Sequence, residues 1–278
     1  APWDGSRIAS VPRPSAFRIE EALTAARSAF EPLKALPTHA RADLLVRMAD
    51  GLERKQSEVA TTLAREAGKP IRDARGEVAR ALLTLRLASE EARRWGGEWF
   101  PLDTHPGPLL AGRSALVRRF PMGPVLAITP FNFPLNLACH KIAPALAVGC
   151  PVIHKPASQT PLTALALSGI AAEAGVPPGA LQTLPMTAEQ AEALLGDPRI
   201  AALSFTGSPA VGWALRAKSG TKRVSLELGG NAAVVIEDAE DLDAVARRCA
   251  AGAFAYAGQV CISVQRVLIR RPMYEAFL

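Results

Sequence analysis

The sequence has no Cys-x-x-Cys pair, no cysteine and histidine at metal-ligand spacing, no run of five like charges and no apolar stretch long enough to span a bilayer. Each absence excludes something. Four cysteines (Cys139, Cys150, Cys249, Cys261) and four separated histidines offer no zinc spacing, so no metal site is expected. The apolar segments Val125 to Ile128 and Ala143 to Val148 are parted by Pro, Asn and His, which suits core strands and helices rather than a membrane span. No segment reads as a signal peptide, so a reducing cytoplasm is the expected location, where a free thiolate persists. The net charge of +6 arises from 32 Lys and Arg against 26 Asp and Glu. Those cations, among them Arg41, Arg47, Arg54, Arg65, Arg72 and Arg75, are interspersed with acids along helical segments. Without a basic stretch interleaved with aromatics, nucleic acid is not an expected partner, although a basic surface favours an anionic cofactor or substrate. No Gly-x-Gly-x-x-Gly follows any strand segment, so the usual dinucleotide fingerprint is missing too.

What remains is an ordinary globular composition. The chain has 278 residues, 49% apolar and 21% charged, enough for one large or two smaller domains with a real core. The first hundred residues read as helices. Ile19, Ala22, Leu23, Ala26 and Phe30 recur at helical spacing. Thr38 is placed to cap a helix running towards Ala67, with Leu44, Leu45, Met48, Leu52 and Val59 on one stripe. Gly68-Lys69-Pro70 breaks it, and a third helix runs from Ile71 to Trp95. A Pro- and Gly-rich loop follows from Pro101 to Gly112, then a strand over 114–119. From residue 125 onwards the pattern alternates. Strands over 125–129, 152–155, 181–184, 201–205 and 223–227 are separated by helices over 135–148, 161–174, 187–195 and 209–218. That alternation predicts βαβ units and a parallel sheet, whose ligands bind at the carboxyl ends of the strands.

The unusual residues fall at those ends. Strand 125–129 leads into Pro130-Phe131-Asn132-Phe133-Pro134, strand 152–155 ends in Lys155-Pro156, strand 201–205 leads into Thr206-Gly207-Ser208, and strand 223–227 ends at Glu227. Thr206-Gly207-Ser208-Pro209 has two readings. It is a plain helix cap, or a phosphate cradle in which Gly207 lets the backbone approach a pyrophosphate at a helix N-terminus. Cys261 lies in Gly258-Gln259-Val260-Cys261-Ile262, and Glu227 in Leu226-Glu227-Leu228-Gly229-Gly230. A thiol can attack an aldehyde carbon, and a carboxylate can activate the water that releases the resulting thioester. On residues alone, Asn132 reads first as a turn residue before Pro134, and Glu227 and Lys155 have plain readings too, as half of a sheet-end salt bridge and as a solvent-facing lysine.

Taken in order, Ile128-Thr129-Pro130-Phe131-Asn132-Phe133-Pro134, His154-Lys155-Pro156-Ala157, Phe205-Thr206-Gly207-Ser208, Leu226-Glu227-Leu228-Gly229-Gly230 and Gly258-Gln259-Val260-Cys261 resemble the motif set of the NAD(P)-dependent aldehyde dehydrogenases. The resemblance runs from about Asp4 to the last residue. It implies an α/β fold, a Rossmann-like parallel sheet with flanking helices preceded by an all-helical N-terminal segment. It divides the chain into a helical segment over 1–112, an oligomerisation-type strand over 113–122, a dinucleotide-binding core over 123–230 and the start of a catalytic domain over 231–278. Cys261 would be the nucleophile, with Cys139, Cys150 and Cys249 as buried structural thiols. Asn132 would donate to the oxyanion together with the Cys261 backbone N–H, and Glu227 would be the general base for hydrolysis. Lys155 would hold the cofactor ribose. Thr129, Pro130, Phe131, Ser158, Phe205, Gly207, Ser208, Val211, Leu228 and Gly229 would complete the cofactor site for NAD or NADP, and no metal is implied. The implied partner is a small-molecule aldehyde, and the implied assembly of the full-length protein is a homodimer or homotetramer.

Departures from the family pattern sharpen these expectations. Phe131 stands where the family often has Trp. Ser158 replaces the Glu with which many NAD-preferring members bind the ribose hydroxyls, so NADP is expected to be tolerated or preferred. Pro185-Met186-Thr187-Ala188-Glu189 replaces a glycine-bearing loop. The family's later Glu-x-Phe-Gly-Pro motif is not found, so the 278 residues alone are expected to turn over little substrate. Two alternatives stay open: a coenzyme A-acylating member, and a non-catalytic relative that only binds cofactor. Val260 to Arg266 is similar to members acting on small hydroxy-, phosphono- or semialdehydes, with Arg266 either meeting a substrate anion or paired with an acid.

Overall fold

Ser15 opens the first helix by accepting the Arg18 N–H at 3.3 Å. In the computed structural model, which describes residues 1–104 and 109–278, this helix, α1 (Ala16–Ala35), buries the expected stripe from Ile19 to Phe30 and adds Leu33. The helix expected from Thr38 towards Ala67 is two helices, α2 (Thr38–Arg54) and α3 (Gln56–Ala67). The break falls at Lys55 (φ −101°, ψ 10°), whose local sequence contains neither Pro nor Gly. Thr38 is not the cap either: it is the first helical residue, and Pro37 holds the cap position with no side-chain bond. Helix α4 (Ile71–Arg94) stops at Trp95 as expected.

Two short antiparallel strands follow, β1 (Glu98–Pro101) and β2 (Ser114–Val117). Strand β2 is shorter than the 114–119 expected, and β1 lies where no strand was anticipated; part of the loop between Pro101 and Gly112 is outside the described residues. The main sheet contains β3 (Val125–Ile128), β4 (Val152–Lys155), β5 (Leu181–Thr183), β6 (Ala202–Gly207) and β7 (Arg223–Leu228) in the order β5-β4-β3-β6-β7, with every pairing parallel. Helices α5 (Asn136–Val148), α6 (Pro161–Glu173), α7 (Ala188–Ala193) and α8 (Pro209–Lys218) connect the strands. After β7 come β8 (Ala232–Ile236), α9 (Leu242–Phe254), β9 (Val264–Ile269) and α10 (Arg271–Phe277). Strands β8 and β9 pair in parallel as a separate sheet, which the sequence pattern had not suggested.

Strand side chains alternate between faces, and the core divides accordingly. Ala127 and Val152 pack with α2 to α6, while Leu126, Ile128 and Ile153 pack with α1, Met186, Leu203 and Phe205 on the other side. Each buried Leu or Ile contributes roughly 1.5–3 kcal/mol. Two buried glutamates fasten the N-terminal helices to the sheet. Glu66 of α3 accepts the Leu162 and Thr163 N–H groups at 2.8 Å, and Glu77 of α4 accepts those of Leu135 and Asn136 at 2.9 and 3.1 Å. Each carboxylate therefore satisfies the open N-terminus of a helix that follows a sheet strand (α6 and α5), complementing its dipole. Burial holds the Glu66 carboxyl above the usual carboxylate range, against the lowering effect of these bonds.

Candidate active site

The carboxyl ends of β3, β4, β6 and β7 form one rim, and the sequence-singled residues lie along it at two ends. At one end, the loop after β3 carries Asn132, whose Nδ2 donates to the Gln259 carbonyl at 2.7 Å, two residues before Cys261. Its Oδ1 accepts the Phe133 N–H at 3.1 Å, so the turn role and the bridging role coexist in one side chain. The loop after β7 reaches the same place: a Cβ on Gly230 would lie 2.8 Å from the Cys261 carbonyl oxygen, a contact only glycine permits. Three motifs separated by about a hundred residues of sequence, and by thirty, thus meet at the Gln259–Cys261 backbone. Cys261 is exposed, whereas Cys139, Cys150 and Cys249 are buried. Burial pushes the Cys139 thiol far up, which leaves it inert as a thiolate source.

Glu227 is exposed on β7 and makes no salt bridge among the described residues, so the sheet-end ion pair is not formed. Its charge acts on Lys141 of α5, a buried lysine whose ammonium donates to Ser204 Oγ at 3.2 Å. Burial pulls the Lys141 pKa down to about 8, opposed by Glu227.

At the other end, Lys155 is half-buried, and burial lowers its pKa while the Glu189 carboxylate opposes that shift. It is therefore not a simple solvent-facing lysine. Ser158 is exposed and lines a cavity of about 530 Å³ with Gln159, Pro185, Arg7 and Arg13. Thr129 is buried, its Oγ1 2.8 Å from His154 Nε2. His154 is fully buried, and that burial, reinforced by the charges of Lys141 and Lys155, pushes its pKa down to about 3.

The start of α8 follows β6, which pairs with β3 on the side away from β4. Ser208 occupies the cap position but its side chain caps nothing, and Pro209 follows it. The first-turn amide groups are thereby left available to an anion. Gly207 and Gly212 pack against the Phe205 ring, where an added Cβ would come within 2.5 and 3.2 Å of it. Phe205 and Leu228 therefore support this turn from the core side, Val211 and Ser208 are exposed, and Gly229 lies against Pro209. Pro130 and Phe131 are half-buried, with Phe131 lining a groove between α4 and residues 251–260.

Sequence reasoning missed the groups behind the rim. Lys69, Arg72, Arg80, Phe133 and Tyr256 line that same groove. Arg266, by contrast, meets neither an acid nor the groove: it is exposed and donates to the Asn231 carbonyl at 3.2 Å. A readable signal did exist, because Glu66, Glu77 and Lys141 each fall in register with the apolar stripe of their helix.

The chain belongs to the aldehyde dehydrogenase family, which it matches over residues 1–278. It is 44% identical over 261 residues to a 3-sulfolactaldehyde dehydrogenase of Priestia aryabhattai, covering 94% of this chain and 53% of that protein. Among solved structures it is similar to an aldehyde dehydrogenase of Physcomitrella patens in complex with the reaction product succinate (TM-score 0.91, 42% identity, 97% of this chain and 56% of that one). It is also similar to a glyceraldehyde-3-phosphate dehydrogenase of Methanocaldococcus jannaschii complexed with NADP (TM-score 0.90, 37% identity, 98% and 59%). The chain spans about half the length of the curated relatives it matches.

Proposed function

We propose that this chain carries the nucleophile and the cofactor platform of an NAD(P)-dependent aldehyde dehydrogenase, which converts an aldehyde, water and NAD(P)+ to a carboxylate and NAD(P)H. The observation that carries this reading is the meeting of Asn132, the Gly230 loop and an exposed Cys261 at one end of the strand rim. Cys261 Sγ, as thiolate, adds to the aldehyde carbon, and the carbonyl oxygen becomes an oxyanion. Asn132 spends one Nδ2 proton on Gln259 and has a second for that oxyanion, with the Cys261 backbone N–H as the other donor. Bound NAD(P)+ supplies the hydride acceptor. Glu227, unpaired and exposed, takes the proton of the water that hydrolyses the Cys261 thioester.

The residues present fit the dinucleotide. The uncapped start of α8 suits a pyrophosphate, and the half-buried ammonium of Lys155 at the end of β4 is a donor suited to a ribose hydroxyl. Ser158 brings no carboxylate, and its cavity carries Arg7 and Arg13, so a 2′-phosphate would be tolerated or preferred there. The named relatives act on sulfolactaldehyde or glyceraldehyde 3-phosphate, or release succinate, so each handles an anionic carbon chain. Arg72 and Arg80 along the groove favour the same class here: a short aldehyde with an acidic tail. The exposed apolar side chains of Trp99, Leu116 and Phe120 support pairing of subunits through the β1–β2 region.

The full-length enzyme tests this directly. An assay of short acidic aldehydes with NAD and NADP should yield the carboxylate without coenzyme A. An absolute need for coenzyme A would favour the acylating reaction instead, and no turnover with any aldehyde would leave only cofactor binding.

A further inference from the structure

Behind the rim lies a buried ion pair that the chemistry above does not use. Lys69 Nζ is 2.7 Å from Glu77 Oε2, and the two side chains are 1% and 0% exposed. Removing two charges from water is costly and is seldom repaid in stability, so a pair this deep calls for a role. Its remaining contacts all lead to the proposed site. The Lys69 ammonium also donates to the Asn132 carbonyl at 2.6 Å. It lies 4.4 Å from the centroids of both the Phe133 and Tyr256 rings. Phe133 adjoins Asn132, and Tyr256 begins the turn that leads to Cys261. Glu77, through its other oxygen, holds the Leu135 and Asn136 amides where the Asn132 loop enters α5. Tyr256 is fixed from the other side as well, donating its hydroxyl to the Ala67 carbonyl at 2.6 Å. Tyr256 and Ala257 both have left-handed backbone (φ 47° and 53°), a conformation that costs energy outside glycine and persists only when its surroundings enforce it.

We propose that Lys69 and Glu77 are positioning residues that set the Asn132 amide at a fixed distance from Cys261. One ammonium grips the backbone of the amide donor and the aromatic ring at the root of the nucleophile's turn, and its carboxylate partner fixes the far end of the same loop. The pair never touches the substrate; it acts through the oxyanion donor. This inference rests on the aldehyde dehydrogenase reading of the site.

The test uses the full-length enzyme and the charge-neutral double substitution Lys69→Met with Glu77→Gln. It leaves no unpaired buried charge, and it keeps a carbonyl oxygen for the α5 amides. Aldehyde oxidation and hydrolysis of p-nitrophenyl acetate both build an oxyanion on a Cys261 adduct. Both kcat values should fall together by about tenfold to a hundredfold, the cost of a small misplacement. Alkylation of Cys261 by iodoacetamide builds no oxyanion and should keep its rate, as should the Kd for NADP. Adding Asn132→Ala to the pair should cost little beyond Asn132→Ala alone, because both act through one donor. Should the pair variant fail to fold, Lys69→Arg provides the second readout, with the same split between oxyanion-forming and alkylation rates. A wild-type kcat in these variants, losses that add to those of Asn132→Ala, or equal losses in alkylation would overturn the proposal. Absence of aldehyde oxidation in the unsubstituted enzyme would instead overturn the reading on which it rests.

Discussion

Strands β3 and β4 are buried almost throughout, whereas β7, β8 and β9 alternate or lie open. The proposed site straddles that divide. Asn132 and Lys155 extend from the buried strands, with Lys69, Glu77 and His154 packed behind them. Glu227 and Cys261 stand on the open side, beside exposed Phe254 and Ile262. The contrast separates two tasks. Groups that must hold an angle are embedded in core, where packing and paired hydrogen bonds fix them. The groups proposed to change partner, the Cys261 thiol and the Glu227 carboxylate, are exposed in these 278 residues, which span about half the length of the relatives.

The comparison breaks most visibly if chemistry and stability fail to separate. Cys261→Ala in the full-length enzyme should lower kcat by about ten-thousandfold or more, as loss of a nucleophile does, while the same change in the 278-residue chain, where the side chain is exposed, should leave Tm in place. A parallel fall in Tm would place Cys261 among the structural thiols. Asn132→Ala should cost about a hundred- to a thousandfold in kcat, the usual cost of one lost oxyanion donor. Steady-state rates that fell less than about tenfold would assign the donor role elsewhere.

Stability should show the reverse pattern. Ile153→Ala, in the buried strand, should cost about 2–5 kcal/mol in urea unfolding. Val235→Ala, 70% exposed on β8, should stay within about 0.5 kcal/mol. Equal losses would erase the distinction between the two regions.

The buried side also carries a pH signature. His154 has a folded pKa of about 3 against an ordinary 6.5, so the unfolded chain binds more protons between those values. Its neutral, buried form is fully compatible with folding above pH 6.5, and stability is lost as pH falls below that towards 3. Between pH 7 and pH 5 the loss should be about 2 kcal/mol. His154→Asn should flatten that slope in unfolding curves recorded across the range. An unchanged slope would mean that other groups carry it.

The smallest effect concerns the cofactor end. Glu189 acts on Lys155 from the first turn of α7. Replacing it with Gln removes a negative charge near the proposed 2′-phosphate position and should raise the NADP over NAD ratio of kcat/KM by no more than about a few-fold, because an exposed charge is screened. A shift towards NAD would mean that the 2′-phosphate lies away from Glu189.

How much of this was legible in sequence follows from the same divide. The βαβ alternation was readable because each strand is a short apolar run and each connecting helix has turn residues at its ends; α8 falls on the residues expected, 209–218. Strand β1 was hidden because all four of its residues are exposed, so no alternation marks them. The break at Lys55 was hidden because neither Pro nor Gly causes it. Strand β8 stayed unread because Ala232–Ile236 is apolar throughout, so its alternating burial leaves no mark in the sequence, and β9 because four consecutive residues in it are exposed. The site motifs were legible from residue order. Lys69 and Glu77 were not, because a lysine in a helix-breaking turn and a glutamate in a helix ordinarily read as solvated surface; only the apolar register of Ala74, Val78, Ala81 and Leu85 around Glu77 marks it as an inward carboxylate.

The most direct test of the covalent account is peptide mass mapping of the full-length Glu227→Gln enzyme after reaction with an acidic aldehyde and NADP. Without its base the thioester should persist, and the account predicts an acyl adduct on the peptide containing Cys261. Carboxylate formed with no adduct there, or an adduct on Cys139, Cys150 or Cys249, would contradict it.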